Sequence, residues 1–215
     1  MKSIMTKARS DKILALLHAY YGEVKPDLNY RNIYELVIAV VLSAQTTDRQ
    51  VNGVTGNLFS KYPDFGSLAK AVGRDVEKII KSTGFFKTKT KNIISLSRMI
   101  CARFGGVLPD SLENLLELPG VGRKSANVIL SMGFNKPGLA VDTHVSRISK
   151  RMGYSQGKTP AAIEKDLCTI IIPQKWKMTH LLFIRHGRSI CTARNPLCNV
   201  CPVSELCNYF LSPEI

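Results

Sequence analysis

Acidic residues are scarce in this 215-residue chain, with 16 Asp plus Glu against 30 Lys plus Arg and a formal net charge of +14. Long apolar runs are missing too. The longest charge-free stretch, Leu36 to Thr47, falls well short of the roughly 20 apolar residues that a membrane-crossing helix needs, so no transmembrane span is expected. Residues 13–21 lack a small-residue cleavage pattern, and Asp11 and Lys12 precede them, so the N-terminal segment reads as a helix and not as a signal peptide. No sustained period-two alternation appears, nor a solenoid repeat, a low-complexity tract or a long linker. Hydrophobic residues at 45% and charged residues at 21% exclude disorder as the main state. At about 150 residues per domain this length predicts one or two domains. With neither leader nor span, the protein is expected in the cytoplasm.

What is present is a helical pattern. Apolar residues recur at three- and four-residue intervals and predict an all-α fold, with helices near 6–21, 31–44, 47–60, 87–104, 111–117, 123–133, 142–152, 160–171 and 175–190. Asp110 with Glu113 three residues on reads as a capping box, and Thr159-Pro160 as a cap followed by proline in the first turn. The excess positive charge points to a polyanionic partner. Nucleic acid is the first candidate, because a protein that neutralises phosphates gains affinity by releasing condensed counterions. A merely soluble basic protein, or one that meets anionic lipid, is the bland alternative.

Between the helices at 111–117 and 123–133 lies Leu118-Pro119-Gly120-Val121-Gly122, followed by Arg123 and Lys124. Proline stops the first helix. Gly120 and Gly122 carry no side chain, so backbone N–H groups can approach a phosphate oxygen that also faces the positive end of the next helix. The plainer reading is a packing turn between antiparallel helices. Lys124 falls at the second position of its helix, where a cation is disfavoured, and a neutral amine can attack a carbon electrophile to form a Schiff base. Taken alone, a lysine beside a glycine turn is more often a phosphate contact.

Val141-Asp142-Thr143-His144 precedes apolar Val145, Ile148 and Met152, which makes Asp142 an N-cap. Asp142 lies eighteen residues beyond Lys124, across the turn Asn135-Lys136-Pro137-Gly138, so the two cannot share a helix face. A lysine and a carboxylate meeting across a cleft would suit attack on a sugar carbon whose transition state carries positive charge. Cys191, Cys198, Cys201 and Cys207 form an x6-x2-x5 loop near the end of the chain. Structural zinc usually takes two close pairs with a longer insert, so this single compact loop suits a cubane iron–sulfur cluster better than zinc or disulfides. Cys101 and Cys168 sit in helical apolar patterns and read as core residues.

Leu118-Pro-Gly-Val-Gly-Arg-Lys124, Val141-Asp-Thr-His144 and the cysteine loop together closely resemble endonuclease III, the helix-hairpin-helix DNA glycosylase family with a [4Fe-4S] cluster. Leu42-Ser-Ala-Gln45-Thr-Thr-Asp48 and Arg185-His-Gly-Arg188 are also similar to family signatures. The resemblance implies two all-helical domains with DNA in the cleft: a six-helix domain over 26–136, and a cluster domain built from 1–25 and 137–215. It implies Lys124 as the nucleophile at C1′ of a damaged pyrimidine nucleotide and Asp142 as the group that assists activation and base departure. Gly120, Val121, Gly122 and Arg123 would grip DNA, Gln45 would fill the space left by an extruded nucleotide, Phe85 would be the wedge, and His144 would line the cleft. The four cysteines would hold the cluster. The implied enzyme is a monomer that removes oxidised pyrimidines and cuts duplex DNA 3′ to the abasic site by β-elimination. Ser125 stands where the family more often has Thr, and Phe85 where many relatives carry an aliphatic wedge. Lys124 argues against the lysine-lacking branch that removes mispaired adenine. The rival within the family is removal of mismatched thymine. From other classes come a non-catalytic DNA-binding iron–sulfur scaffold, which leaves the pairing of Lys124 with Asp142 unexplained, and an electron carrier, which leaves the hairpin and the +14 charge unexplained.

Overall fold

A computed structural model describes residues 5–211, and every regular element among them is helical. In chain order the α-helices are α1 (Lys7–Tyr21), α2 (Ile33–Leu42), α3 (Asp48–Lys61), α4 (Phe65–Ala69), α5 (Gly73–Ile80), α6 (Phe86–Phe104), α7 (Leu112–Leu116), α8 (Arg123–Val128), α9 (Thr143–Met152), α10 (Pro160–Ile170), α11 (Trp176–Ser189) and α12 (Asn208–Leu211). No helix among the described residues is long and apolar enough to cross a membrane. The chain divides into a contiguous unit, Pro26–Lys136, and a discontinuous one drawn from Met1–Lys25 and Pro137–Ile215, whose extreme ends (1–4 and 212–215) lie outside the described residues.

The contiguous unit is organised around α2, which is buried continuously from Tyr34 to Leu42. A helix that is apolar all round has to sit inside its neighbours, and α3, α6, α8 and the π turn Ile129–Gly133 pack on it. Its start is fixed twice. The Asn32 side chain accepts from the Glu35 N–H, and the buried Glu35 carboxylate accepts from the Arg31 backbone N–H at 2.7 Å and from its guanidinium at 2.6 and 2.9 Å. The guanidinium beside it holds Glu35 below the usual carboxylate range against the opposing effect of burial. Thr47 and Gln50 close a reciprocal capping box at the head of α3.

In the discontinuous unit α11 packs on α1 and α9, and α10 and α12 pack on α9. The first helix is stapled to the far end of the chain: the Arg9 guanidinium donates to the Leu206 carbonyl at 2.6 Å and to Asn208 Oδ1 at 2.8 Å. Thr159 caps α10 with Pro160 in its first turn, as the sequence predicts.

Two local expectations change. The cap of α7 is Ser111, whose hydroxyl accepts from the Asn114 N–H at 3.3 Å, and not Asp110. Asp110 is drawn away because the Lys136 ammonium pairs with its carboxylate and donates to its carbonyl at 3.1 Å. The short helices α4 and α5 fall where no helix is predicted. Five and eight residues are too few to show a period, and α4 opens on an Asp64–Ser67 capping box instead of the Glu or Gln signature.

Candidate active site and cysteine pocket

The hairpin is built outward from α2 and α6. Leu118 and Val121 are buried, and the Val121 N–H donates to the Leu118 carbonyl at 3.0 Å, so the turn closes on itself and leaves Gly120 and Gly122 exposed. Gly120 has φ +81°, and a Cβ there would lie 2.9–3.0 Å from Asn92 of α6 and Val41 of α2. Conformation and close packing both require glycine at this position. Gly122 caps α8 with φ −91° and open space around it. The sequence treats the two glycines alike, whereas the structure separates them: Gly120 seats the hairpin, and Gly122 keeps its outer face bare. Gly120→Ala is expected to lower stability by about 2 kcal/mol, from left-handed strain plus overpacking, while Gly122→Ala stays within roughly 0.5 kcal/mol of the parent. Denaturant midpoints of the two variants check this.

Arg123 and Lys124 open α8, and both side chains are exposed. The hairpin docks on α2 and α6 near the ends from which two further turns leave. Gln45 follows α2 with φ +52°, and Phe85 precedes α6 with φ +56° and is 67% exposed. Left-handed backbone is uncommon outside glycine and costs on the order of 1 kcal/mol or more. The two turns touch: a Cβ on Gly84 would lie 3.7 Å from the Gln45 carbonyl oxygen. The structure therefore brings Gln45 and Phe85 together on one face of the contiguous unit.

Asp142 and His144 belong to the other unit. Asp142 caps α9, with Oδ1 accepting from the Val145 N–H at 2.7 Å. That is the capping role foreseen from sequence, and it engages one carboxylate oxygen only. His144 Nδ1 lies 3.1 Å from Arg147 Nη2, and burial with the neighbouring Arg147 and Arg188 lowers its pKa while the Asp142 charge opposes them. Both side chains crowd Gly187 of α11, where a Cβ would meet His144 Nδ1 at 2.9 Å and Arg147 Nη2 at 3.0 Å. The glycine of Arg185-His-Gly-Arg188 thus admits His144, a reason the sequence alone does not disclose.

The four cysteines of the loop line one pocket, partly open to solvent, together with Arg151, His186 and Tyr209. Four sulfurs that line one shared space are a donor set that fits a multi-atom cluster. The surrounding donors fit it as well. Arg151 Nη1 lies 3.4 Å from Cys191 Sγ, and His186 Nε2 lies 3.7 Å from Cys201 Sγ. Such N–H groups would offset the negative charge on thiolate sulfurs holding a cluster there. Burial pushes the Cys201 thiol up to about 11 and the His186 imidazole down to about 4. A neutral His186 donates from one ring nitrogen only, and the Tyr21 hydroxyl stands 2.9 Å from the other, Nδ1. Arg151 also donates to the Thr192 and Ala193 carbonyls, and Arg147 to those of Gly187 and Cys191, which fixes the start of the loop. Tyr21, Arg147, Arg151 and His186 as partners of the pocket were not foreseen. Only Arg185-His-Gly-Arg188 gave a hint of any of them.

Residues 38–173 match the HhH-GPD superfamily of base excision DNA repair proteins, and residues 191–207 match the iron–sulfur binding domain of endonuclease III. Endonuclease III of Synechocystis sp. is 42% identical over 207 residues, which is 96% of this chain and 94% of that protein. Endonuclease III of Bacillus subtilis is 43% identical over 84% of this chain and 83% of its own. Among solved structures, a trapped endonuclease III–DNA covalent intermediate superposes with a TM-score of 0.89 at 40% identity, covering 95% of this chain and 96% of that one. A thermostable thymine-DNA glycosylase superposes at 0.82 with 26% identity, covering 95% and 97%.

Proposed function

Because the chain belongs to the endonuclease III family of base excision repair enzymes, DNA glycosylases with abasic-site lyase activity, we propose that it excises oxidised pyrimidines from duplex DNA through a Schiff base on Lys124. The observation that carries this reading is the placement of Lys124, exposed at the start of α8 beside a turn whose outer face is bare backbone. In this reading the exposed Gly120, Gly122 and Arg123 grip a phosphate, with Val121 anchoring the turn from inside. The target nucleotide leaves the stack, since its sugar carbon is hidden in the duplex. Gln45 fills the vacancy and faces the orphaned base, and Phe85 wedges into the stack beside it. Their outward, left-handed turns suit insertion.

The chemistry follows from an amine and a carboxylate. Lys124 Nζ attacks C1′, and the bond to the base breaks with its electron pair leaving on the base. Ring opening gives an imine between Nζ and C1′. Loss of a C2′ proton then sends electrons towards the imine and breaks the C3′–O bond, which cuts the strand on the 3′ side. Asp142, through the oxygen not used in capping, accepts a proton and stabilises positive charge on the sugar, and His144 lines its side of the path. The enzyme acts as a monomer.

A [4Fe-4S] cluster is the cofactor of the iron–sulfur domain, and we assign Cys191, Cys198, Cys201 and Cys207 as its ligands. When bound, the cluster ties a loop too small for a core of its own to α9 and α11.

Duplexes carrying one oxidised pyrimidine, one G·T mismatch or one abasic site test the substrate assignment. Incision is expected at the oxidised pyrimidine and the abasic site. Preferential release of thymine from the mismatch would favour the second reading, which the thymine-glycosylase likeness keeps in view. Asp142→Asn should bind the same duplexes but turn over about 100-fold more slowly, because an amide still caps α9 yet neither accepts a proton nor carries charge. Turnover close to the parent's would leave Asp142 a cap and nothing more.

A further inference from the structure

Lys87, Lys89 and Lys91 alternate at the start of α6, and the middle one behaves differently from its neighbours. Lys87 and Lys91 are exposed, as phosphate-facing or solvated lysines are, whereas Lys89 is only 4% exposed. Its ammonium donates to Thr46 Oγ1, 43 residues away, and its backbone N–H donates to the Phe85 carbonyl at 3.0 Å. Thr46 is the residue after Gln45. Its hydroxyl passes the chain of hydrogen bonds on to the Ala44 carbonyl at 3.4 Å, and its own N–H donates to the Ser43 carbonyl at 3.2 Å. The backbone bond from Lys89 to Phe85 is the ordinary first-turn bond of α6, so the side chain ties the head of that helix, which carries the Phe85 turn, to the Gln45 turn. Gly84 closes the same gap from the side.

We propose that Lys89 is a positioning residue that locks the Gln45 and Phe85 turns into a single rigid tool for replacing an extruded nucleotide. This rests on the roles given above to Gln45 and Phe85. The physical case is one of preorganisation. Two exposed turns held separately in an uncommon backbone conformation would relax, and each would have to be re-ordered whenever DNA binds. A buried strut that ties the head of α6 to the Gln45 turn removes that ordering cost before DNA arrives. Burial, which disfavours the charged form of Lys89, is tolerated because the head has a fixed acceptor. A lysine serving only to attract phosphate would gain nothing by pointing inward.

The role predicts dependence on pairing in the substrate. An abasic site in single-stranded DNA needs no base displaced, whereas a lesion in a duplex does. The holoenzyme is assayed on both, and the readout is the ratio of duplex to single-strand cleavage rates. Lys89→Met keeps the apolar stem and loses the donor, and it should lower that ratio about tenfold. Thr46→Val removes the acceptor at a half-exposed surface position where folding is not at stake, and it should lower the ratio similarly. The double variant should fall no further than either single one. Lys89→Arg, which keeps a donor, should recover part of the loss.

An unchanged ratio in Thr46→Val, or equal losses on both substrates in Lys89→Met, would overturn the proposal, since a general structural role moves both rates together. Gln45→Ala and Phe85→Ala are run alongside. If they leave the ratio unchanged, the underlying reading of the turns fails. If they lower it and the Lys89 and Thr46 variants do not, only the strut fails.

Discussion

Lys124→Gln is expected to abolish the protein–DNA adduct that borohydride traps on an abasic duplex, and to cut excision by at least about 10³-fold. Borohydride reduces an imine to a stable amine, so the adduct reports the nucleophile directly. Gln is a good helix former, and position 124 is exposed at the second residue of α8, so the fold should be kept to within roughly 0.5 kcal/mol. Binding to abasic duplex should survive as well, because the hairpin backbone, Arg123 and the general positive charge are untouched. Loss of chemistry with retention of binding separates an enzyme from a DNA-gripping scaffold. Persistence of the trapped adduct in this variant would mean that another amine is the nucleophile, and the assignment of Lys124 would be wrong.

Cys198→Ala should strip the protein of its brown colour and of about four irons, and it should destabilise the discontinuous unit by more than about 4 kcal/mol. Cys191 and Cys207 are buried in the core of this unit, yet the stretch between them contains little beyond two short 3₁₀ turns, Cys198–Val200 and Ser204–Leu206. Without a cluster, that stretch is left with little more than Val203, and the partly buried Leu206, to hold it to the core. The thiols are also left around an emptied pocket beside Arg151 and His186, groups positioned to donate to bound sulfur. Cys101, half-buried against the core of the contiguous unit, is the control, and Cys101→Ala should retain full iron. Iron analysis with calorimetry reads both variants. Full iron in Cys198→Ala, or stoichiometric zinc in the parent, would overturn the ligand assignment.

The long helices and the hairpin were legible because their signals are local. Pro119 and the two glycines mark a turn within five residues, Asp142 caps the helix it directly precedes, and the cysteines lie within one loop. What escaped depends on residues far apart in sequence. Lys89 reads as one cation in a basic run until Thr46 is seen against it, and the glycine at 187 has no visible purpose until His144, 43 residues earlier, packs on it. Tyr21 meets His186 across 165 residues. Local competition explains the misplaced cap at α7: Asp110 and Ser111 are both able, and a lysine 26 residues downstream decides between them. Gly120 and Gly122 look equivalent in the motif, and the left-handed backbone of Gly120 with Asn92 and Val41 close against it distinguishes them.

The division of the chain also sets an order of assembly. Pro26–Lys136 is uninterrupted, so its core can close as soon as that stretch has left the ribosome. Helix α1 is made before it and has to wait. Its partner α11 ends at Ser189, and the Leu206 carbonyl that Arg9 grips is 197 residues downstream. Throughout that interval the apolar face of Ile13, Leu14 and Leu17 lacks the surface it will be buried against. The four cysteines follow α11, so a shortage of iron should leave a product whose helices are packed but whose cysteine loop, and with it the Leu206 carbonyl that Arg9 grips, is out of place. That intermediate is the one to look for when expression outpaces cluster supply.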